Sequence, residues 1–210
     1  GAPVVTIVED ANNDGYINAA ELDGDIDVEV GLPADAVAGD TLTVTDNAGN
    51  KHEITLTPEQ ITDGKVAVSF PAPADGKEIK VVASVTDAAG NTGPEGTDSA
   101  VIDTTVFGGL AIEITEDANN DGYINRDELK DNDIDVRVTL PEGAAAGDTL
   151  TISGSGNVDK VITLTQAQID AGYVDVKFNP TADNTDFVAT ATIRDVAGNS
   201  AGPVSDSARL

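Results

Sequence analysis

Residues 10–21 read DANNDGYINAAE. Oxygen-bearing side chains stand at the first, third, fifth, ninth and twelfth positions, as Asp10, Asn12, Asp14, Asn18 and Glu21. Gly15 at the sixth position permits a sharp turn, Tyr16 at the seventh offers a backbone carbonyl, and Ile17 at the eighth is apolar. This is the spacing of an EF-hand calcium loop, whose alternate side chains converge on a hard cation taking about 6–8 oxygens. Residues 117–128 read DANNDGYINRDE and place Asp117, Asn119, Asp121, Tyr123, Asn125 and Glu128 at the same positions. An Asn/Asp-rich turn without metal is the competing reading. A glutamate at the twelfth position of both copies favours calcium.

The flanks of these loops are not those of an EF-hand. Val4–Val8 and Ile26–Leu32 are spaced as strands, so no pair of amphipathic helices is present to swing apart. The metal is expected to pin a loop between two strands rather than to drive a sensor switch.

Further carboxylates invite a second kind of site. Asp87 and Asp195 begin Asp-x-Ala-Gly-Asn strings, Asp98 and Asp206 precede the last strands, and Asp103 sits at the join of the two halves. A cluster of Asp87, Asp98 and Asp103 would bind calcium near the start of the second half. The alternative is that these residues make turns by bonding their own backbone, and for Asp103 both readings stand. Asp23, Asp25, Asp40 and Asp46 are read as turn formers.

The elements that must position these residues form a duplicated set. Glu116–Asn125 repeats Glu9–Asn18 107 positions on, and after one inserted residue near Lys130 the later landmarks run at 108. Units this long bury their own cores, so two domains are expected, residues 1–104 and 105–210. Within each, apolar residues alternate with polar ones, as in Ile26, Val28 and Val30, or Val174, Val176 and Phe178. That period marks half-buried antiparallel strands. About seven per unit, punctuated by Gly, Asn, Asp and Pro, predict two tandem all-β, Ig-like Greek-key sandwiches. Thr57 with Gln60, and Thr165 with Gln168, each predict a capped helical turn.

Composition narrows the function. A net charge of -27 repels nucleic acid and anionic membrane surfaces, and makes divalent cations the natural counter-charge. There is no Cys, so disulfides and thiolate metal sites are excluded. No apolar run approaches the ~20 residues of a membrane span. His52 is the only histidine and is read as an exposed strand residue, so no His-based triad or metal centre can be assembled. The chain is expected not to be an enzyme, and to be monomeric as it stands. Thr41, Thr43 and Thr45 are read as a solvated strand face.

The Asp-x-Asn-x-Asp-Gly loops, the Asp87-Ala88-Ala89-Gly90-Asn91 turn and the Val101-Ile102-Asp103-Thr104-Thr105 junction give the whole chain a resemblance. It resembles the calcium-dependent bacterial Ig-like extender repeats of large RTX-type biofilm and surface adhesins. The resemblance implies type I secretion, an extracellular cell-surface location and neighbouring identical repeats in series. It also implies calcium at domain junctions, with Asp87, Asp98 and Asp103 as ligands, and a spacer that projects a terminal binding domain. The alternative function is that the repeats themselves bind a glycan or surface ligand.

Overall fold

In a computed structural model of the chain, residues 1–129 and 131–210 are described. The chain divides into two compact units, Gly1–Thr104 and Thr105–Leu210. Lys130, beside which the repeat offset changes, lies outside the described residues.

The first unit packs two sheets. One holds β1 (Val4–Ile7), β3 (Ile26–Gly31) and β6 (Lys65–Phe70) in the order β1-β3-β6. The other holds β2 (Tyr16–Asn18), β4 (Thr41–Asp46), β5 (Lys51–Thr55), β7 (Glu78–Thr86) and β8 (Gly96–Asp103) in the order β2-β8-β7-β4-β5. Strands of this length expose alternate side chains to opposite faces. Val5, Ile7, Ile26, Val28, Val30 and Phe70 therefore meet Leu42, Val44, Ile79, Val81, Ala100 and Ile102 in one core. The pairing is antiparallel throughout except β2 with β8, which is parallel.

The second unit repeats this plan. Strands β9 (Ala111–Ile114), β10 (Ile134–Thr139) and β13 (Tyr173–Phe178) form one sheet. The facing sheet holds β11 (Thr149–Gly154), β12 (Lys160–Thr163), β14 (Asp186–Arg194) and β15 (Ser200–Arg209). The described residues thus give eight strands in the first unit and seven in the second, because Tyr123 forms only an isolated bridge to Arg209 where β2 forms a strand. Both units are Ig-like antiparallel sandwiches.

Two short helices close the crossovers, α1 (Pro58–Asp63) and α2 (Gln166–Ala171). Each carries the capping box expected of it, from Thr57 with Gln60 and from Thr165 with Gln168. Each ends on a glycine in the left-handed region, Gly64 at φ 71° and Gly172 at φ 77°.

The cores are filled differently at one place. Phe187 in the second unit stands where the first has Ile79, and its ring packs on Phe178 at 5.9 Å between centroids. The room comes from Gly154, the counterpart of Asp46, where a Cβ would lie only 2.8 Å from Phe187 and 2.9 Å from Phe178. In the first unit Ile79 takes the place of Phe187, and Asp46 turns its carboxylate to the hairpin that follows.

Candidate metal-binding loops

The first loop follows β1, and its seventh to ninth positions form β2. Asp10 is its pivot: only 8% exposed, it accepts the Asp14 amide at 3.0 Å and the Gly15 amide at 2.9 Å. Asn12 Oδ1 also accepts the Asp14 amide, at 2.9 Å, and Asp14 Oδ1 accepts the Tyr16 amide at 2.9 Å. Asn13 at φ 56° and Gly15 at φ 84° supply the left-handed turns that wind the loop. Glu21 accepts the Asn18 amide at 3.1 Å and the Asn12 side-chain amide at 3.1 Å, so the third and twelfth positions already touch.

The second loop is wound in the same way. Asp117, 5% exposed, accepts the Asp121 amide at 3.1 Å and the Gly122 amide at 2.8 Å. Asn119 accepts the Asp121 amide at 3.0 Å, and Asp121 accepts the Tyr123 amide at 2.9 Å. Here Glu128 turns to the ninth position, accepting the Asn125 amide at 3.0 Å and its side-chain amide at 2.6 Å. Asn119 accordingly donates to Asp121 rather than to Glu128.

Every group these loops offer is an oxygen of carboxylate, carboxamide or backbone, the donor set of calcium rather than of a softer metal. Asp10, Asn12, Asp14, Tyr16, Asn18 and Glu21 would hold one ion. Asp117, Asn119, Asp121, Tyr123, Asn125 and Glu128 would hold another. Among the described residues no three acidic side chains stand at metal-holding distance of one another.

Both loops are anchored on the strand that ends their unit. Ile17, fully buried, pairs with Ile102, and Tyr16 and Asn18 pair with Val101 and Asp103. In the second unit the Ile124 amide donates to the Arg209 carbonyl at 2.8 Å, and the Arg209 amide to Gly122 at 2.9 Å. An ion in either loop would bear directly on the strand by which the chain leaves the unit.

The proposed cluster of Asp87, Asp98 and Asp103 is not assembled. Asp98 lies opposite Val81 on β7, Asp103 at the far end of β8, and Asp87 just beyond the opposite end of β7. At about 3.3 Å per strand residue, Asp98 is roughly 20 Å and Asp103 roughly 35 Å from Asp87. One ion cannot reach all three.

Each has its own place instead. Asp87 accepts the Ala89 and Asn91 amides at 2.9 and 2.8 Å and the Asn91 side chain at 2.8 Å. Those bonds, the Asn91 side chain foremost, hold its carboxyl below the usual range. Asp195 binds Asn199 likewise, at 2.8 Å to the amide and 2.9 Å to the side chain. Asp46, read as a turn former, does the same with Ala48 and Asn50 in a third Asp-x-Ala-Gly-Asn string at 46–50. Asp98 and Asp206 bridge the two sheets of their units through the amides of Ile7 and Ile114, each at 2.8 Å. Asp103 closes β8 opposite Asn18.

Asp75, which sequence reasoning passed over, accepts the amide and hydroxyl of Thr104 at 2.6 and 2.8 Å. His52 is half-buried rather than exposed: its Nε2 is 2.9 Å from the Ser69 carbonyl and its ring stands edge-on to Phe70 at 4.9 Å. Glu116, beside the second loop, has its carboxyl pushed up by burial and by the neighbouring charge of Asp135. Among the described residues no helix is long and apolar enough to cross a membrane.

Comparison with known proteins adds the following. The family model described as EF hand matches residues 117–131. No curated protein sequence matches the chain. A structure of fibronectin(III)-like modules of CbhA from Clostridium thermocellum is similar in fold at TM-score 0.51 and 11% identity, over 99% of this chain and 94% of that one. A Ca2+-stabilized adhesin with which an Antarctic bacterium reaches out and binds ice is 26% identical over 99% of this chain and 47% of that one, at TM-score 0.40. A tetra-tandem repeat from the extending region of a large adhesion protein is 20% identical over 99% of this chain and 48% of that one, at TM-score 0.38. The chain spans about half the length of both adhesin structures.

Proposed function

We infer that the two units are spacer repeats of a bacterial cell-surface adhesin, folded and stiffened by extracellular calcium so that a terminal binding domain is held away from the cell. The observation that carries this reading is the anchoring of each EF-hand-type loop on the last strand of its own unit. The bound ion then acts on the exit of the chain, where stiffness matters for a spacer. Among the described residues no helix flanks either loop, and each unit is a self-contained sandwich that can be repeated in series.

The physical mechanism is linkage. With 38 acidic and 11 basic residues the compact chain repels itself, and the carboxylates of the loops add to that repulsion locally. Where calcium is scarce the folded state is weakened. Where it is abundant, binding free energy becomes folding free energy. A chain of this kind passes a secretion channel unfolded and folds outside. Small-angle X-ray scattering and a thermal melt, with calcium and then with excess chelator, test the reading. A particle that loosens and melts earlier on chelation is the expected result. An unchanged scattering profile and melt would reduce the loops to ordinary turns and refute the calcium-stiffened spacer.

A further inference from the structure

The last residues of the first unit are held from two sides. On one side Tyr16, Ile17 and Asn18 of β2 pair with Val101, Ile102 and Asp103, and the Val101 amide donates to the Gly15 carbonyl at 2.9 Å. Gly15, Tyr16 and Asn18 are the sixth, seventh and ninth positions of the first loop. On the other side stands the turn between β6 and β7. Its Gly76 amide donates to the Ile102 carbonyl at 2.7 Å, and the Ile102 amide to the Lys77 carbonyl at 2.9 Å. Asp75 completes this side. One oxygen of its carboxylate accepts both the amide and the hydroxyl of Thr104, at 2.6 and 2.8 Å. These bonds, the amide foremost, hold the Asp75 carboxyl below its ordinary value. The carboxylate thus serves as the next acceptor in the row after the backbone of the turn has run out.

The second unit has the turn without the latch. Asp183 stands where Asp75 does. The Asn184 amide donates to the Leu210 carbonyl at 2.7 Å and the Leu210 amide to the Thr185 carbonyl at 3.1 Å, repeating the two backbone bonds. Leu210, the counterpart of Ile102, is the last residue of the chain, and no threonine meets Asp183 there. On the loop side of that unit Tyr123 makes only an isolated bridge to Arg209.

We propose that Asp75 is a positioning residue for the first calcium loop: by holding Thr104 it fixes the end of β8, and with it the backbone of the loop's sixth to ninth positions. The proposal rests on the calcium reading of that loop and adds to it a residue whose own bonds go to Thr104. The Tyr16 carbonyl and the Asn18 side chain are offered to an ion by a backbone that is itself paired to Val101–Asp103. Strand ends open most readily, at little cost in free energy. A latch one residue beyond Asp103 keeps that end closed, so less ordering is left for the ion to bring about. The coupling is reciprocal, and an ion in the loop protects the latch in turn.

Calcium titration of the full chain, followed by NMR at the Gly15 and Gly122 amides, reads the two loops separately in one sample. Asp75→Ala is expected to weaken calcium binding at Gly15 about fivefold, at the low end of couplings between linked sites, and to leave Gly122 unchanged. Thr104→Val, which removes the hydroxyl and keeps the amide, should act in the same direction, and Thr104→Ser should titrate as the wild type does. In chelator the Val101 amide should exchange with solvent faster in Asp75→Ala than in the wild type, because its pairing is loosened without any ion. Equal affinity at Gly15 in Asp75→Ala and the wild type, an equal loss at Gly122, or unchanged exchange at Val101 overturns the proposal. Wild-type signals that ignore calcium refute the calcium reading, and the positioning role falls with it. A wild type that binds calcium, and an Asp75→Ala variant that binds it equally well, refute the positioning role alone.

Discussion

Asp98 Oδ2 accepts the backbone amide of Ile7 at 2.8 Å, across the open edge between the two sheets of the first unit. Its other oxygen accepts the Ser99 amide at 2.9 Å. β1 is an edge strand whose Ile7 side chain is buried at 2% exposure, and its outward amide finds no strand partner on that side. A carboxylate on β8, partly buried in the same row as Ala100 and Ile102, supplies the acceptor. Asp206 repeats the arrangement with Ile114. These aspartates join the sheets where an unpaired edge would otherwise invite another strand.

Asp98→Ala leaves the Ile7 amide without that acceptor, and the expected loss is about 1–3 kcal/mol. Urea unfolding should show the same loss in calcium and in chelator. A loss that appeared only in calcium would make Asp98 a ligand rather than a clamp.

The alternation of apolar residues marks β3, β6, β7 and their counterparts in the sequence, because a half-buried strand has no other way to bury one face. The capping boxes at Thr57 and Thr165 are equally local, four residues long and self-sufficient. The clamp between Asp98 and Ile7 joins residues 91 positions apart, and nothing in the string near either residue announces it. Asp87 and Asp98 therefore look alike in sequence, two aspartates near strand ends, though one staples a turn and the other joins two sheets.

Within the first calcium loop the structure separates two kinds of carboxylate. Asp10 holds the amides of Asp14 and Gly15 and is buried, so Asp10→Ala should destabilise the unit with or without calcium. Glu21 is half-buried and accepts from Asn12 and Asn18, so Glu21→Gln, which keeps an acceptor oxygen, should stay within about 0.5 kcal/mol of the wild type in chelator. In calcium, a tenfold weaker site costs about 1.4 kcal/mol once the ion is in excess. Parallel melts in calcium and chelator check both, and an equal effect of Glu21→Gln in the two conditions would remove it from the ligand set.

The pairing of Gly154 with Phe187 makes a prediction about packing. Gly154→Ala drives a methyl against the rings of Phe178 and Phe187 and should cost about 1–3 kcal/mol. Phe187→Ile restores the arrangement of the first unit, so the double variant should lose less than the two single losses added together. A double-mutant cycle by denaturant unfolding measures the coupling, and strict additivity would show that the two sites do not share the space.

Acid sensitivity can be followed at Arg137 and Asp175, which form a two-pronged pair at 2.7 and 2.8 Å on the outer face of the second unit. Arg137 holds the Asp175 carboxyl below its ordinary value of 3.8, chiefly through these hydrogen bonds. A carboxyl depressed in the folded state binds fewer protons there than when unfolded. Its stabilisation is therefore present above about pH 3.8 and is lost as pH falls through the folded value. Arg137→Gln removes the partner and returns Asp175 toward its ordinary range. The variant should be less stable than the wild type near neutrality, and the gap should close on acidification until the two coincide below both pKa values. Because the pair is exposed, added salt should shrink the gap at neutral pH. Unfolding in chelator across the acid range isolates this effect from calcium binding. A gap that persisted undiminished in acid would place the arginine's contribution in its packing over the Tyr173 ring, 4.0 Å from the centroid, rather than in the carboxylate.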